Sequence, residues 1–247
     1  MNPEFSREEA EAVQLNAYDQ VGDETWFGEG PMEEAFIRFR CQTAVGVLRE
    51  KGIAPGSLVL DVGCGRGEVT NALVAAGFRA VGCDLALKRL ADTKKGQQGS
   101  FLGARGQELP LAENSVMAVF AFEVYEHLTP EDATKMLDEF YRVTASGGVL
   151  VLSTPNTLSL AGRIKRHFRE EVFSRSDHFN EVNYQEIREA VAKAGFRIVE
   201  SRGVGFFPGM WRVQKLFPSS RLQDCNLRLG AMVPSIASET LIVAQKD

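Results

Sequence analysis

The run Leu58-Val59-Leu60-Asp61-Val62-Gly63-Cys64-Gly65-Arg66-Gly67-Glu68 is apolar, carries one carboxylate, and then alternates glycine with other residues. Glycines let a backbone turn tightly and approach a ligand with no Cβ in the way. The dinucleotide fingerprint G-x-G-x-x-G would need its third glycine at Glu68, so it fails, and the spacing is G-x-G-x-G. An acid at the helix start also suits a pyrophosphate poorly, because like charges would meet. Asp84 ends a second short apolar run, 21 residues after Gly63. A carboxylate there can accept hydrogen bonds from both hydroxyls of a ribose. A generic strand–turn–helix with an N-capping acid would explain the glycines alone. With Asp61, Asp84 and the flanking strands, the pattern points to a nucleoside-bearing ligand.

A second group follows the strong apolar run Ser115–Phe122. Glu123, Glu126 and His127 stand at i, i+3 and i+4, which can put all three on one side of a strand-to-helix junction. Much later comes Ser176-Asp177-His178-Phe179. Carboxylates and imidazoles together could hold Mg²⁺, Mn²⁺, Fe²⁺ or Zn²⁺. Such an ion lowers the pKa of a bound hydroxyl and so favours an oxygen nucleophile. The plainer reading has Glu126 and His127 hydrogen-bonded at a helix start, with His127 lining a pocket as a general base. The basic residues Arg163, Lys165, Arg166, His167 and Arg169 read as a solvated helix face. The sharper readings are an anion contact, or a membrane-surface contact with Leu158, Leu160, Ile164 and Phe168 opposite.

The elements that must position these residues alternate. Strands are expected at Leu58–Val62, Ala80–Cys83, Ser115–Phe122, Gly147–Ser153, Phe196–Glu200 and Glu239–Gln245. Helices are expected at Glu68–Ala76, Glu131–Val143 and Tyr184–Ala194, with further helices in residues 1–56. Strands separated by helices imply a mostly parallel sheet covered on both faces. The links 157–183 and 204–238 are long, and long links in compact domains often serve as lids or binding loops. With residues 1–40 they are expected to form a small substrate cap on a single domain spanning 1–247, with Trp26, Phe27, Phe206, Phe207 and Trp211 as candidate cap aromatics.

Composition narrows the classes. The chain has 247 residues, 44% hydrophobic and 25% charged, with a net charge of -5, which argues against bulk nucleic-acid binding. No apolar run approaches the ~18 residues of a membrane span. Residues 1–40 carry acids throughout and no apolar block, so no secretory leader is expected. Cys41, Cys64, Cys83 and Cys225 form no C-x-x-C pair and read as reduced thiols of a cytoplasmic protein.

Val59–Gly67, Val81–Asp84, Leu109-Pro110, Phe122–Leu128 and Gly147–Asn156 resemble, in order, the motifs of class I S-adenosylmethionine-dependent methyltransferases. The resemblance covers roughly residues 40–203 and the last strand. It implies an α/β, Rossmann-like, seven-stranded mostly parallel sheet with an antiparallel strand near one edge. It implies that Asp61, Gly63 and Gly65 surround the methionine part of S-adenosylmethionine. Asp84 would hold the ribose, Arg105, Gly106 and Gln107 the adenine, with Leu85 and Phe122 in the same site. The family often has acids where Arg105 and Ala118 stand, which leaves the adenine to a backbone contact. Motifs typical of base methylation, Asn/Asp-Pro-Pro-aromatic and Pro-Cys, are absent. The Glu123–His127 block with a later histidine resembles ubiquinone-pathway O-methyltransferases. The same block, Ser153–Asn156 and Asp177-His178 are similar to small-RNA 2′-O-methyltransferases. In both, Glu123, Glu126, His127 and His178 would match residues thought to hold a divalent ion.

The expected function is therefore methyl transfer to an oxygen of a small or lipid-like acceptor, such as a phenol or sugar hydroxyl, with His127 in the catalytic position. The alternatives are 2′-O-methylation at an RNA 3′ end and a cofactor-binding partner protein without transferase activity. The protein is expected as a monomer or homodimer.

Overall fold

The computed structural model describes residues 12, 31–86, 98–159, 163, 178–205 and 220–247. Its centre is a seven-stranded sheet of β1 Leu58–Val62, β2 Arg79–Asp84, β3 Ser100–Gly103, β4 Val116–Phe122, β5 Thr144–Pro155, β6 Arg197–Val204 and β7 Glu239–Gln245, in the order β3-β2-β1-β4-β5-β7-β6. β7 runs antiparallel to both neighbours, and the other described pairings are parallel. This is the Rossmann-like α/β class read from the motifs, with the antiparallel strand one place from the edge.

Alternation within the strands divides the core in two. Val59, Ala118, Phe120, Val149, Val151, Leu241 and Val243 pack with α1 Pro31–Glu50, with Val69 and Leu73 of α2 Glu68–Ala75, and with Leu227 of α5 Ser220–Leu229. Leu60, Val119, Ala121, Leu150, Leu152, Ile242 and Ala244 face the other way, onto α3 Pro130–Val143 and α4 Tyr184–Lys193. The α3 helix shows the cause clearly. Ala133, Met136, Leu137, Phe140 and Val143 are buried along one stripe. Each large one contributes roughly 1.5–3 kcal/mol of burial. Thr129 caps its start by accepting from the Asp132 N–H at 3.2 Å, with Pro130 in the first turn. In α4, Asn183 accepts from the N–H of Glu186, whose carboxylate accepts from the Asn183 N–H, a reciprocal cap.

β1 pairs with β2 on one side and β4 on the other. The chain therefore leaves β1 in one direction and later returns in the other, which opens a crevice beyond the carboxyl ends of these strands. Both sequence groups lie there. α5 joins α1 through Arg38 and Asp224, 2.7 Å apart, so part of the 204–238 link packs as a helix on one face of the sheet. The cap aromatics Trp26, Phe27, Phe206, Phe207 and Trp211 lie outside the described residues, as do Asp177 and most of the basic segment. Arg163 is described, and its Nε donates to the Leu158 carbonyl at 3.0 Å. Among the described residues, no helix is long and apolar enough to cross a membrane.

Candidate active site

The turn after β1 holds Gly63, Gly65 and Gly67 at φ 67°, 53° and 77°. One of these is demanded by its surroundings. A Cβ on Gly63 would stand 2.4 Å from Cγ2 of Val124, so the end of β4 lies directly on the turn. Gly65 turns its N–H onto Asp84, whose Oδ2 accepts at 2.9 Å, while Oδ1 accepts from the Ala86 N–H at 2.9 Å. Asp84 thus ties the glycine turn to the end of β2, and each oxygen keeps a lone pair for a ribose hydroxyl. Gly63→Ala should lower stability by about 1–2 kcal/mol from the left-handed backbone alone. Thermal unfolding reads this, and an unchanged midpoint would mean that the turn relaxes and Val124 moves aside.

Asp61 is 3% exposed and accepts from Thr70 Oγ1 at 2.6 Å. Burial pushes its carboxyl up to about 7, against the Thr70 hydrogen bonds. Burial and the Asp61 and Asp84 charges likewise push the Cys64 and Cys83 thiols far up, so neither is a nucleophile. Beyond β3, Arg105 lies 3.8 Å from Glu108, and Gln107 is buried. A Cβ on Gly106 would meet Met136 at 3.1 Å and Val62 at 3.2 Å, so bare backbone passes here against the end of β1.

The end of β4 divides the acidic group. Glu123 has φ 57°, a left-handed conformation, and it accepts from Ser153 Oγ at 2.7 Å. A 3-10 turn, Tyr125–His127, follows. Glu126 is 2% exposed and accepts from Thr154 Oγ1 at 3.1 Å. Burial, then the Glu123 charge, hold its carboxyl well above the usual carboxylate range. The Glu126 carbonyl accepts from the N–H groups of Phe179 at 2.9 Å and Asn180 at 3.1 Å, and this brings His178 to His127. Their ring centroids are 5.0 Å apart, edge to face.

Ligand atoms of Glu126, His127 and His178 all lie within 4.8 Å of one another. Atoms bound at 2.0–2.3 Å to one ion are at most about 4.6 Å apart, so this trio fits a divalent ion with a few tenths of an ångström of closure. Glu123 stands outside it. Leu85 is half-buried beside Asp84, and Phe122 is buried at the end of β4. Sequence reasoning passed over Thr70, Arg40 and Glu239. Arg40 sits mid-helix in α1, and Glu239, which opens β7, is buried at 7% exposure.

Residues 60–152 match the family model described as a methyltransferase domain. A protein of Mycolicibacterium smegmatis described as a probable S-adenosylmethionine-dependent methyltransferase is 30% identical over 151 residues, 60% of this chain and 55% of that one. The ubiquinone biosynthesis O-methyltransferase of Rhizobium etli is 24% identical over 254 residues, 94% of this chain and 99% of that one. These likenesses are to S-adenosylmethionine-dependent methyltransferases, the superfamily whose ordered motifs the sequence resembles. Magnesium protoporphyrin IX methyltransferase of Synechocystis, solved with S-adenosylhomocysteine, has a similar fold, with a TM-score of 0.64 at 18% identity over 98% of each chain. The chain spans about half the length of the mycobacterial relatives that it matches.

Proposed function

We propose that this chain transfers the methyl of S-adenosylmethionine to an oxygen of a small or lipid-like acceptor, a phenol or a sugar hydroxyl. One observation carries the reading. The turn tied by Asp84 and the cluster of Glu126, His127 and His178 lie at the same ends of neighbouring strands, with Val124 of the second resting on Gly63 of the first. A cofactor cradle thus adjoins groups able to take a proton from a hydroxyl.

S-adenosylmethionine supplies a methyl on a positively charged sulfur, so its leaving group needs no proton. The chain must bring the acceptor oxygen into line, exclude water and accept the hydroxyl proton. Asp84 and Gly65 fix the nucleoside end, and Gly106 offers the adenine a backbone edge. His127, half-buried and packed on His178, takes the acceptor proton. Glu126, His127 and His178 are the residues that would hold a divalent ion, whose chemistry is to make a bound hydroxyl more acidic.

The test is S-adenosylhomocysteine formation with a panel of phenols and sugars, before and after a chelator. His178→Ala should reduce turnover at least tenfold, an order-of-magnitude expectation for losing a group at the reacting oxygen, while cofactor affinity stays. With an ion in place, the chelator abolishes turnover and Mg²⁺, Mn²⁺ or Zn²⁺ restores it. Turnover that resists chelation assigns the proton to His127 alone. Methylation of RNA ends, with a salt-dependent gel shift, would replace the small acceptor by RNA. No methyl transfer to any acceptor, with the cofactor bound, would leave a binding protein.

A further inference from the structure

The chain that leaves β3 is tied at both ends of a tight turn. At its entry, the Ala104 N–H donates to the Asp84 carbonyl at 3.3 Å. The Glu108 N–H then donates to the Arg105 carbonyl at 3.1 Å, which leaves Gly106 and Gln107 at the tip. β3, β2 and β1 run parallel, so this tip, Asp84 and the glycine turn stand at the same ends of neighbouring strands. A Cβ on Gly106 would meet Cγ and Sδ of Met136 at 3.1 Å. The tip therefore rests on α3 and presents main chain rather than a side chain.

At its exit, main-chain groups that join neither helix nor strand need partners of their own. Those of Leu109 and Leu111 find them on two side chains near the end of α3. Oε2 of Glu139 accepts from the Leu109 N–H at 3.0 Å. Nη2 of Arg142 donates to the Leu109 carbonyl at 3.1 Å, and Nη1 donates to the Leu111 carbonyl at 2.8 Å. The two side chains hold one another as well, Nε to Oε1 at 2.6 Å and Nη2 to Oε2 at 2.8 Å. Arg142 keeps the Glu139 carboxyl below the usual carboxylate range. A pair exposed at 36% and 20% contributes little to stability by its charges alone. What this pair does is fix three main-chain groups on either side of Pro110, which supplies no N–H of its own.

We propose that Glu139 and Arg142 are positioning residues for the cofactor: they fix the turn at Gly106 and Gln107, whose main chain reads the edge of the adenine base. The inference rests on the methyl-transfer reading and adds what orders the nucleobase end of its site. Adenine offers an amino donor beside a ring-nitrogen acceptor, and main chain offers the reciprocal C=O and N–H. Such an edge discriminates only when it is held still, because hydrogen bonds weaken steeply as distance and angle depart from ideal. Asp84 holds the turn where it enters, and the pair on α3 holds it where it leaves. Neither residue of the pair needs to touch the base. Each acts through the main chain of Leu109 and Leu111.

Two ligands that differ only on that edge test this. S-inosylhomocysteine carries an oxygen where S-adenosylhomocysteine carries the amino group, so donor and acceptor exchange places. Calorimetric titrations of both ligands are made on the wild-type protein, on Arg142→Ala and on Glu139→Gln, which keeps the size of the side chain but sets an NH₂ against Arg142. The wild-type protein should prefer the adenosyl ligand by about tenfold, the scale of one or two hydrogen bonds. Both variants should lose that preference through weaker binding of the adenosyl ligand, with the inosyl ligand unchanged. Without ligand, hydrogen exchange at Glu108 and Leu109 should quicken in both variants while β1 and β4 stay protected. Equal weakening of the two ligands, or a lower melting temperature with the preference intact, would mean that the pair serves the fold alone and would overturn the proposal. Wild-type binding of S-adenosylhomocysteine, with variants that bind it equally well, removes the positioning pair and leaves the cofactor reading standing. No binding by the wild-type protein removes both.

Discussion

Asp84→Ala will weaken S-adenosylhomocysteine binding by about 10- to 100-fold in a calorimetric titration, the scale of two charge-assisted hydrogen bonds. On the proposed function, Asp84 has two jobs. Its oxygens accept from the N–H groups of Gly65 and Ala86, both at 2.9 Å, and each keeps a lone pair that a ribose hydroxyl could use. Alanine removes the ribose contacts and also frees the Gly65 N–H, so the turn at φ 53° loses the group that orders it. Asp84→Asn separates the two jobs. Asparagine has one acceptor oxygen, and its NH₂ must oppose one of the two backbone N–H donors, so binding should fall nearly as far as with alanine. The thermal unfolding of both variants should stay close to wild type, because Asp84 is half-buried and the strand beneath it is intact. Wild-type affinity in Asp84→Ala, or clear binding of NAD to the unaltered protein, would sink the assignment of this crevice.

The side of the crevice proposed for the cofactor was legible because it is contiguous. β1, its turn and α2 occupy neighbouring positions, and the composition of that stretch states the geometry: an apolar strand, glycines at positive φ, then a helix. Asp84 was legible for the same reason, at the end of the next strand. β3 was not. It has four residues, none fully buried, so it shows no apolar run for periodicity to find. β5 also begins earlier than its apolar run, at Thr144, because the chain passes from α3 straight into the sheet and Gly147 carries the strand through a left-handed turn. The side proposed for the acceptor was read only in part. The i, i+3, i+4 spacing put Glu123 with Glu126 and His127, which assumes helix. The chain instead takes φ 57° at Glu123 and makes a single 3-10 turn, so Glu123 goes to Ser153 and its two companions go elsewhere. His178 reaches them through two backbone hydrogen bonds to the Glu126 carbonyl, and no spacing rule encodes that contact.

Asp61 should make stability and cofactor affinity respond to pH in opposite directions. Its carboxyl is moved from an ordinary 3.8 to about 7 by burial. Between these values the folded protein keeps a proton that the unfolded chain has lost, so stability falls as pH rises through that window and is lowest above it. Three pKa units correspond to an upper bound of about 4 kcal/mol at pH 8. Asp61→Asn keeps the shape and can still accept from Thr70, yet it carries no charge to bury. It should therefore be more stable than wild type at pH 8, by about 2–4 kcal/mol in denaturant titrations, and nearly equal to it at pH 4. Cofactor binding runs the other way. The superfamily resemblance puts Asp61 beside the methionine part of S-adenosylmethionine, whose ammonium and sulfonium are positive and favour the ionised carboxylate. Affinity should then rise between pH 6 and 8 with release of a proton, measured as a dependence of the binding heat on the ionisation enthalpy of the buffer. Asp61→Asn should bind weakly at every pH and release none. Equal stability of the two proteins at pH 8, or binding without proton release, would mean that Asp61 is already ionised in the folded protein and that water or Thr70 satisfies its charge. The opposed slopes are what a buried acid kept for a cationic ligand requires: the free protein bears the strain of the carboxylate, and the ligand relieves it.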